Sequence, residues 1–206
     1  MAKMFARSQP KYLQTQTVLV LCEDSQSGKR YLEDARVHFR ANASIEIAHC
    51  GKTDPIGIVG EALKRAARFD RVFCMIDRDR HPGFDEAVRM ARRDEKVELI
   101  VSYPCFEYWL LLHNDYTSRP YVEEGRLSPA EVLIRDLRQC DGFRNYEKGR
   151  ADSSPFQRLL GAPLAKARVL GPRSRNDADD RGDPNPSTSI DLLLDQFEIL
   201  GQPQPV

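Results

Sequence analysis

The sequence has no apolar run long enough to span a bilayer. Its longest, TVLVLC at 17–22 and VFCMI at 72–76, fall far short of the roughly 20 residues a membrane helix needs. It also has no excess charge. Its 31 basic residues balance 31 acidic ones, so no global field draws the chain onto polyanions, and nucleic-acid binding would require a local patch. Cysteine is sparse: Cys22, Cys50, Cys74, Cys105 and Cys140 are odd in number, far apart and never in a C-x-x-C pair. That usage argues against a disulfide framework or a zinc site, and for buried thiols in a reducing compartment. The opening stretch, MAKMFARSQPKYLQTQT, is basic but has no apolar core of the kind a secretory signal carries. A cytoplasmic address is expected. No Walker pattern and no internal repeat is present.

What is there suits a globular protein. With 206 residues, 41% hydrophobic and 30% charged, the chain can bury one substantial core and carry a helical appendage. Residues 1–16 lack periodicity and are expected to form a flexible basic arm. From 17 to about 102 strands and helices alternate, in an α/β domain expected to run to about residue 115. Residues 17–22 form a continuous apolar strand, and 25–39 a helix with Tyr31, Leu32, Ala35 and Phe39 on one face. Residues 44–48 form an alternating strand. In the helix over 54–67, Asp54 serves as N-cap and Pro55 takes the first helical position. Residues 71–76 are a second continuous apolar strand, 82–93 a helix and 97–102 a fourth strand.

Such alternation predicts an α/β fold: a Rossmann-like parallel sheet covered on both faces. The strands at 17–22 and 71–76 should be central neighbours, with 44–48 at an edge. Residues 116–206 read as a helical extension with helices at 129–140, 155–170 (bent at Pro163) and 187–200, the last opened by a Thr188/Asp191 capping box. The polar, turn-rich stretch 171–186 reads as an exposed linker. The apolar faces of these helices require a surface to cover, so the extension is expected to dock on the sheet.

Acidic residues follow both central strands. LVLCED (19–24) places Glu23 at one strand end, and CMIDRDRH (74–81) places Asp77 and Asp79 at the other. Side chains two apart in extended chain point the same way, so Asp77 and Asp79 share a face, and Glu23 converges on them if the strands pair. Acidic residues after strands are commonly helix caps or solvated loop residues; it is their joint position that favours a site. Clustered carboxylates raise one another's pKa, and a divalent cation relieves that repulsion. Oxygen donors suit Mg²⁺ or Mn²⁺, ions that usually act on phosphate.

A strand-end Glu followed by D-x-D in a βαβαβ chain resembles the Toprim domain of topoisomerases, primases and related nucleases. That resemblance implies an acid/base or metal-binding role for Glu23 and Mg²⁺ ligation by Asp77 and Asp79. A narrower resemblance covers most of the chain. LVLCED (19–24), GKTDP (51–55), MIDRD (75–79), SYPCFEYWLLLH (102–113), YEK (146–148) and PNPST (184–188) are similar, in order and spacing, to RloB-like proteins. This implies a nuclease acting on RNA or DNA in phage defence, with an ABC-type ATPase as candidate partner. Asp24 departs from the pattern, standing where many relatives carry glycine, and so bears on the pose of Glu23.

Further candidates keep two readings each. Glu107 is a further metal ligand or a buried partner for an arginine. His113 is a general acid/base or a hydrogen-bonded helix-end residue; the resemblance implies a role for both without assigning one. Trp109 reads as core more readily than as a base-stacking platform. Lys52, before a helix N-terminus, could reach a phosphate, or lies in a capped turn. Lys148, Lys166 and Arg168 flank a polynucleotide groove or belong to solvated helix faces. Set against the nuclease is a non-catalytic effector that binds nucleic acid or an ATPase. A nucleotide-sugar transferase would fit D-x-D but not the strand-end Glu23.

Overall fold

Strand β1 (Val18–Cys22) is buried at every position, as a strand must be when it has neighbours on both sides and helices on both faces. In the computed structural model, which describes residues 16–41, 44–78, 81–150 and 155–202, β1 pairs in parallel with β2 (Ile45–His49) on one side and β3 (Arg71–Asp77) on the other. β4 (Val97–Tyr103) continues the sheet parallel to β3. The order is β2-β1-β3-β4-β5. The expected central pair and the expected edge strand are therefore the observed ones. The expected N-terminal arm lies, up to residue 15, outside the described residues.

Period-two alternation sorts the strand residues between two cores. Leu19, Leu21, Val72, Cys74 and Ile76 pack with residues of α2 (Pro55–Arg65) and α3 (Phe84–Ala91). Val18, Val20, Cys22, Phe73 and Met75 face a larger cluster built from α1 (Ser27–His38), α4 (Glu107–Leu111), α5 (Pro129–Leu137), α6 (Ala162–Arg181) and α7 (Ile190–Gly201). The C-terminal helices thus share one core with the sheet. Local signals place several ends. Asp54 accepts the Gly57 N–H at 2.7 Å to cap α2, and Ser128 with Glu131 closes a capping box on α5. α1 lies close to β3 at Gly28, where a Cβ would meet the tip of the Met75 side chain, Cε, at 2.3 Å. No described helix is long and apolar enough to cross a membrane.

Three expectations for the C-terminal part are corrected. Residues 171–186 are not a linker. α6 runs through this stretch to Arg181 despite Pro172, and ends on Gly182 at φ 65°. Gly171, Ser174 and Ala178 line its buried face, and a Cβ at Gly171 would meet Asp191 Oδ1 at 2.5 Å. Small residues at helical spacing admit a close neighbour, and that packing outweighs weak propensity. Second, Pro163 does not bend a helix. A 3₁₀ turn at Phe156–Leu159 precedes α6, and Pro163 sits in its first turn, where its missing N–H costs nothing. Third, Asp191 does not cap α7. It pairs with Arg175 at 2.5 and 2.8 Å, and Ser189 is the N-cap.

The sheet also has a fifth strand that alternation did not reveal. β5 (Ser187–Thr188) runs antiparallel to β4, with Thr188 Oγ1 2.8 Å from Ser102 Oγ. Asn185 fixes its approach, donating to Tyr121 O at 2.7 Å and accepting the Tyr121 N–H at 3.0 Å.

Candidate metal centre

The register brings two acidic strand ends to one level. Cys22 lies opposite Met75, and the Glu23 N–H donates to Met75 O at 3.2 Å, so Glu23 runs on alongside β3. Its Oε2 accepts the backbone N–H of Asp77 at 2.9 Å. Its Oε1 lies 3.5 Å from His81 Nε2. Asp24 does not displace it. The Asp24 carboxylate turns to α1 and accepts the N–H groups of Gln26 at 2.8 Å and Gly28 at 3.2 Å, a capping role that glycine could not fill.

A third segment closes the site from beneath β3. After β4 the chain turns through Pro104 into α4, placing Cys105 and Glu107 by the end of β3. Asp77 Oδ1 accepts the Phe106 N–H at 2.8 Å. Ligand atoms of Asp77, Cys105 and Glu107 all lie within 4.8 Å of one another. Glu107 is 0% exposed. Its Oε1 accepts the Tyr146 hydroxyl at 2.9 Å, while its Oε2 is buried and has no hydrogen-bond partner among the described residues. Lys148 reaches in from the segment after α5, its Nζ 3.5 Å from Asp77 Oδ2 and 3.5 Å from Glu107 Oε2.

The electrostatics follow from burial. Burial raises the Asp77 pKa well above the ordinary carboxylate range; Lys148 opposes this, while Glu107 and Glu23 add to it. Burial likewise raises Glu23, against the Asp77 N–H, His81 and Lys148. For Lys148, burial lowers the pKa, but Glu107, Cys105 and Asp77 outweigh it, and the net shift is upward. The Cys105 thiol is pushed well above its usual value by burial and then by Glu107 and Asp77. It is therefore a protonated, weak donor. Two carboxylates, Asp77 and Glu107, share one ammonium, and Glu23 lies alongside on the Asp77 N–H: a site rich in oxygen donors.

The structure sorts the sequence candidates. Glu23, Asp77, Glu107 and Lys148 come together, and Glu107 pairs with a lysine rather than an arginine. Asp79 lies outside the described residues. His113 is in the core: its Nδ1 lies 3.0 Å from Trp109 O and its Nε2 3.3 Å from Tyr31 Oη, and burial lowers its pKa to about 4. Trp109 is fully buried beside it. Lys166 donates to Asn114 O at 2.5 Å, and Arg168 pairs with Asp195 and Glu198. Lys52 is exposed beside the capped start of α2. Neither Lys52 nor Lys166 forms an ion pair with the site carboxylates among the described residues. Sequence reasoning missed Cys105 and the role of Tyr146. Both stand in motifs that carry the family resemblance, but nothing local marks either as part of a site.

No curated protein and no solved structure gives a significant match to this chain. A family model described as RloB-like protein matches residues 18–197, which include Glu23, Asp77, Cys105, Glu107, Tyr146 and Lys148. The chain belongs to the RloB-like protein family.

Proposed function

We propose that the protein is a Toprim-type nuclease that depends on Mg²⁺ or Mn²⁺ and hydrolyses phosphodiester bonds of RNA or DNA. Its proposed setting is phage defence, with an ABC-type ATPase as candidate partner. One observation carries the reading: the fully buried Glu107 carboxylate has one oxygen, directed at Asp77 and Lys148, for which no hydrogen-bond partner is found among the described residues. An ionised carboxylate withdrawn from water costs several kcal/mol, of the order of ~3–5, when its charge is not met. A single ammonium is shared between Asp77 and Glu107, and burial with the neighbouring carboxylates raises Asp77, a crowding that a divalent cation would relieve. The donor set fits a hard divalent cation, with Asp77 and Glu107 to hold it and Glu23 as a further oxygen donor. When bound, such an ion polarises a phosphate and stabilises the leaving oxygen.

The chain's own groups supply the rest. Glu23, anchored on the Asp77 N–H through Oε2, keeps Oε1 toward His81 and can hold a proton closer to neutral pH than an exposed glutamate. Lys148 stays charged and presents its ammonium where phosphate charge would develop. Tyr146 fixes the orientation of Glu107. Purified protein should cleave RNA or DNA with Mg²⁺ and not with EDTA, and Asp77→Asn and Glu107→Gln should each abolish cleavage while staying folded. Cleavage that persists in EDTA or in both variants would rule the reading out.

One observation favours a second reading. Lys148 bridges both carboxylates and partly neutralises them without any metal, as a purely structural ion pair would. A non-catalytic effector binding nucleic acid or an ATPase would show no cleavage with any divalent cation and no change in melting temperature on adding one.

A further inference from the structure

Beside the carboxylates lies a cavity of about 520 Å³, within the size range of small-ligand sites. Its charge is one-sided. Among the described residues, Arg30, Arg144, Arg150 and Arg158 line it beside one carboxylate, Glu147, which pairs with Arg150, as Asp141 does with Arg144, in a chain whose net charge is zero. Its floor is different: the buried apolar side chains of Phe106, Leu110 and Pro155 lie beneath it. Arg158 lies over the Phe143 ring at 5.5 Å, which holds the guanidinium as a flat plate.

The cavity is built and joined to the metal centre. The Gly149 N–H donates to Ser27 Oγ at 3.1 Å, and Arg138 Nε to Tyr146 O at 2.8 Å, fastening the segment that forms one wall. Tyr146 belongs to the cavity lining and also donates to Glu107 Oε1. A ligand in the cavity is therefore one side chain away from the carboxylates, and Phe106 lines the floor while its backbone N–H binds Asp77.

We infer that this cavity seats one unpaired nucleotide of the substrate strand, next to the phosphate presented to Asp77 and Glu107. The inference rests on the nuclease reading for the second half of that statement only. A nucleobase is a flat apolar plate joined to a phosphate. It requires an apolar floor, planar cations that stack on a base, and guanidinium forks that take a phosphate in bidentate fashion. The cavity offers all three. A base inside a duplex is paired and turned inward, so only a single strand or an extruded nucleotide can enter. The substrate class is single-stranded or locally unpaired nucleic acid.

The test measures binding and cleavage separately. A short fluorescent single-stranded oligonucleotide, as RNA and as DNA, and blunt duplexes of the same length are titrated against the full chain in EDTA by anisotropy. At least one single strand should bind about tenfold or more tighter than its duplex, as base stacking in a pocket predicts. Arg158→Ala and Arg144→Ala should each weaken that binding, and each should lower the salt slope of log K by about 0.7 for a lost phosphate contact. Arg158→Lys should keep the slope but lose affinity, because it keeps charge and not the plate. Melting temperatures run alongside separate these effects from unfolding. Equal affinity for strand and duplex, or wild-type affinity and slope in both folded alanine variants, would overturn the inference. Strand preference and arginine dependence without any Mg²⁺-dependent cleavage would leave the cavity assigned and remove the nuclease reading.

Discussion

Glu23 Oε2 accepts the backbone N–H of Asp77 at 2.9 Å, so the acidic residue after β1 is tied to the strand that carries the next one. The bond fixes the Glu23 side chain by one oxygen and leaves the other facing His81. Glu23→Gln keeps the anchor, because an amide oxygen accepts the same N–H, and removes one charge from a crowded cluster. The fold should stay within about 1 kcal/mol of wild type, since a repulsive member is lost. Cleavage should fall by ~10²–10⁴-fold, the usual loss for an acid/base group. Nuclease assays beside thermal melts decide it; near-normal cleavage by the folded variant would remove Glu23 from the chemistry.

Lys148 is the counter-charge of Asp77 and Glu107, so its loss should expose the need for a cation. Lys148→Met removes the ammonium and keeps most of the stem. Breaking a buried pair typically costs ~3–5 kcal/mol; the Lys148 side chain is 41% exposed, so solvent screening brings the expected cost to about 1–3 kcal/mol. The melting temperature should drop in EDTA and recover with millimolar Mg²⁺ or Mn²⁺, by more than the wild type gains. A variant that melts identically with and without divalent ions would show that no cation takes the place of the lysine charge.

Much of the sheet was legible because it is written in hydrophobicity. Five buried residues in β1 and the apolar core of β3 mark central strands, and Asp54 followed by Pro55 marks a helix start. The acidic ends of β1 and β3 followed from those strands being neighbours. The rest depends on partners distant in sequence. Glu107 joins Asp77 only because the chain turns after β4, and Lys148 arrives from 71 positions away. The segment 171–186 looks like a linker by composition, yet its polar residues are spent on specific partners: Ser174 Oγ accepts from the Thr188 N–H, and Arg175 binds both Thr188 O and Asp191.

That account of 171–186 can be tested directly. Asp191 is 2% exposed and its charge is met by Arg175, so Arg175→Met strands a buried carboxylate. The cost should be about 3 kcal/mol, read as a lower denaturant midpoint. Limited proteolysis should spare 171–181 in the wild type and cut there in Arg175→Met. Rapid cutting of the wild type at these residues would contradict the helix.

His113 gives the fold a pH dependence unrelated to the carboxylates. Burial lowers its pKa from an ordinary 6.5 to about 4, with Trp109 O and Tyr31 Oη beside its two ring nitrogens. The folded protein therefore keeps the ring neutral where the unfolded chain protonates it. Between pH 6.5 and 4 the unfolded state binds more protons, so stability rises with pH across that window. The stabilisation is present above pH 6.5, is lost as pH falls toward 4, and levels off below. A gap of this size corresponds to about 3 kcal/mol. The raised pKa values of Glu23 and Asp77 act in the opposite direction, so total stability alone does not isolate the histidine. Comparison with His113→Gln does, because both proteins keep the carboxylates. His113→Gln should be less stable at pH 7, having lost the packed ring, and should lose much less on going from pH 7 to pH 4. Chemical denaturation at several pH values gives both curves, and parallel curves across the window would show that His113 is not held neutral in the core.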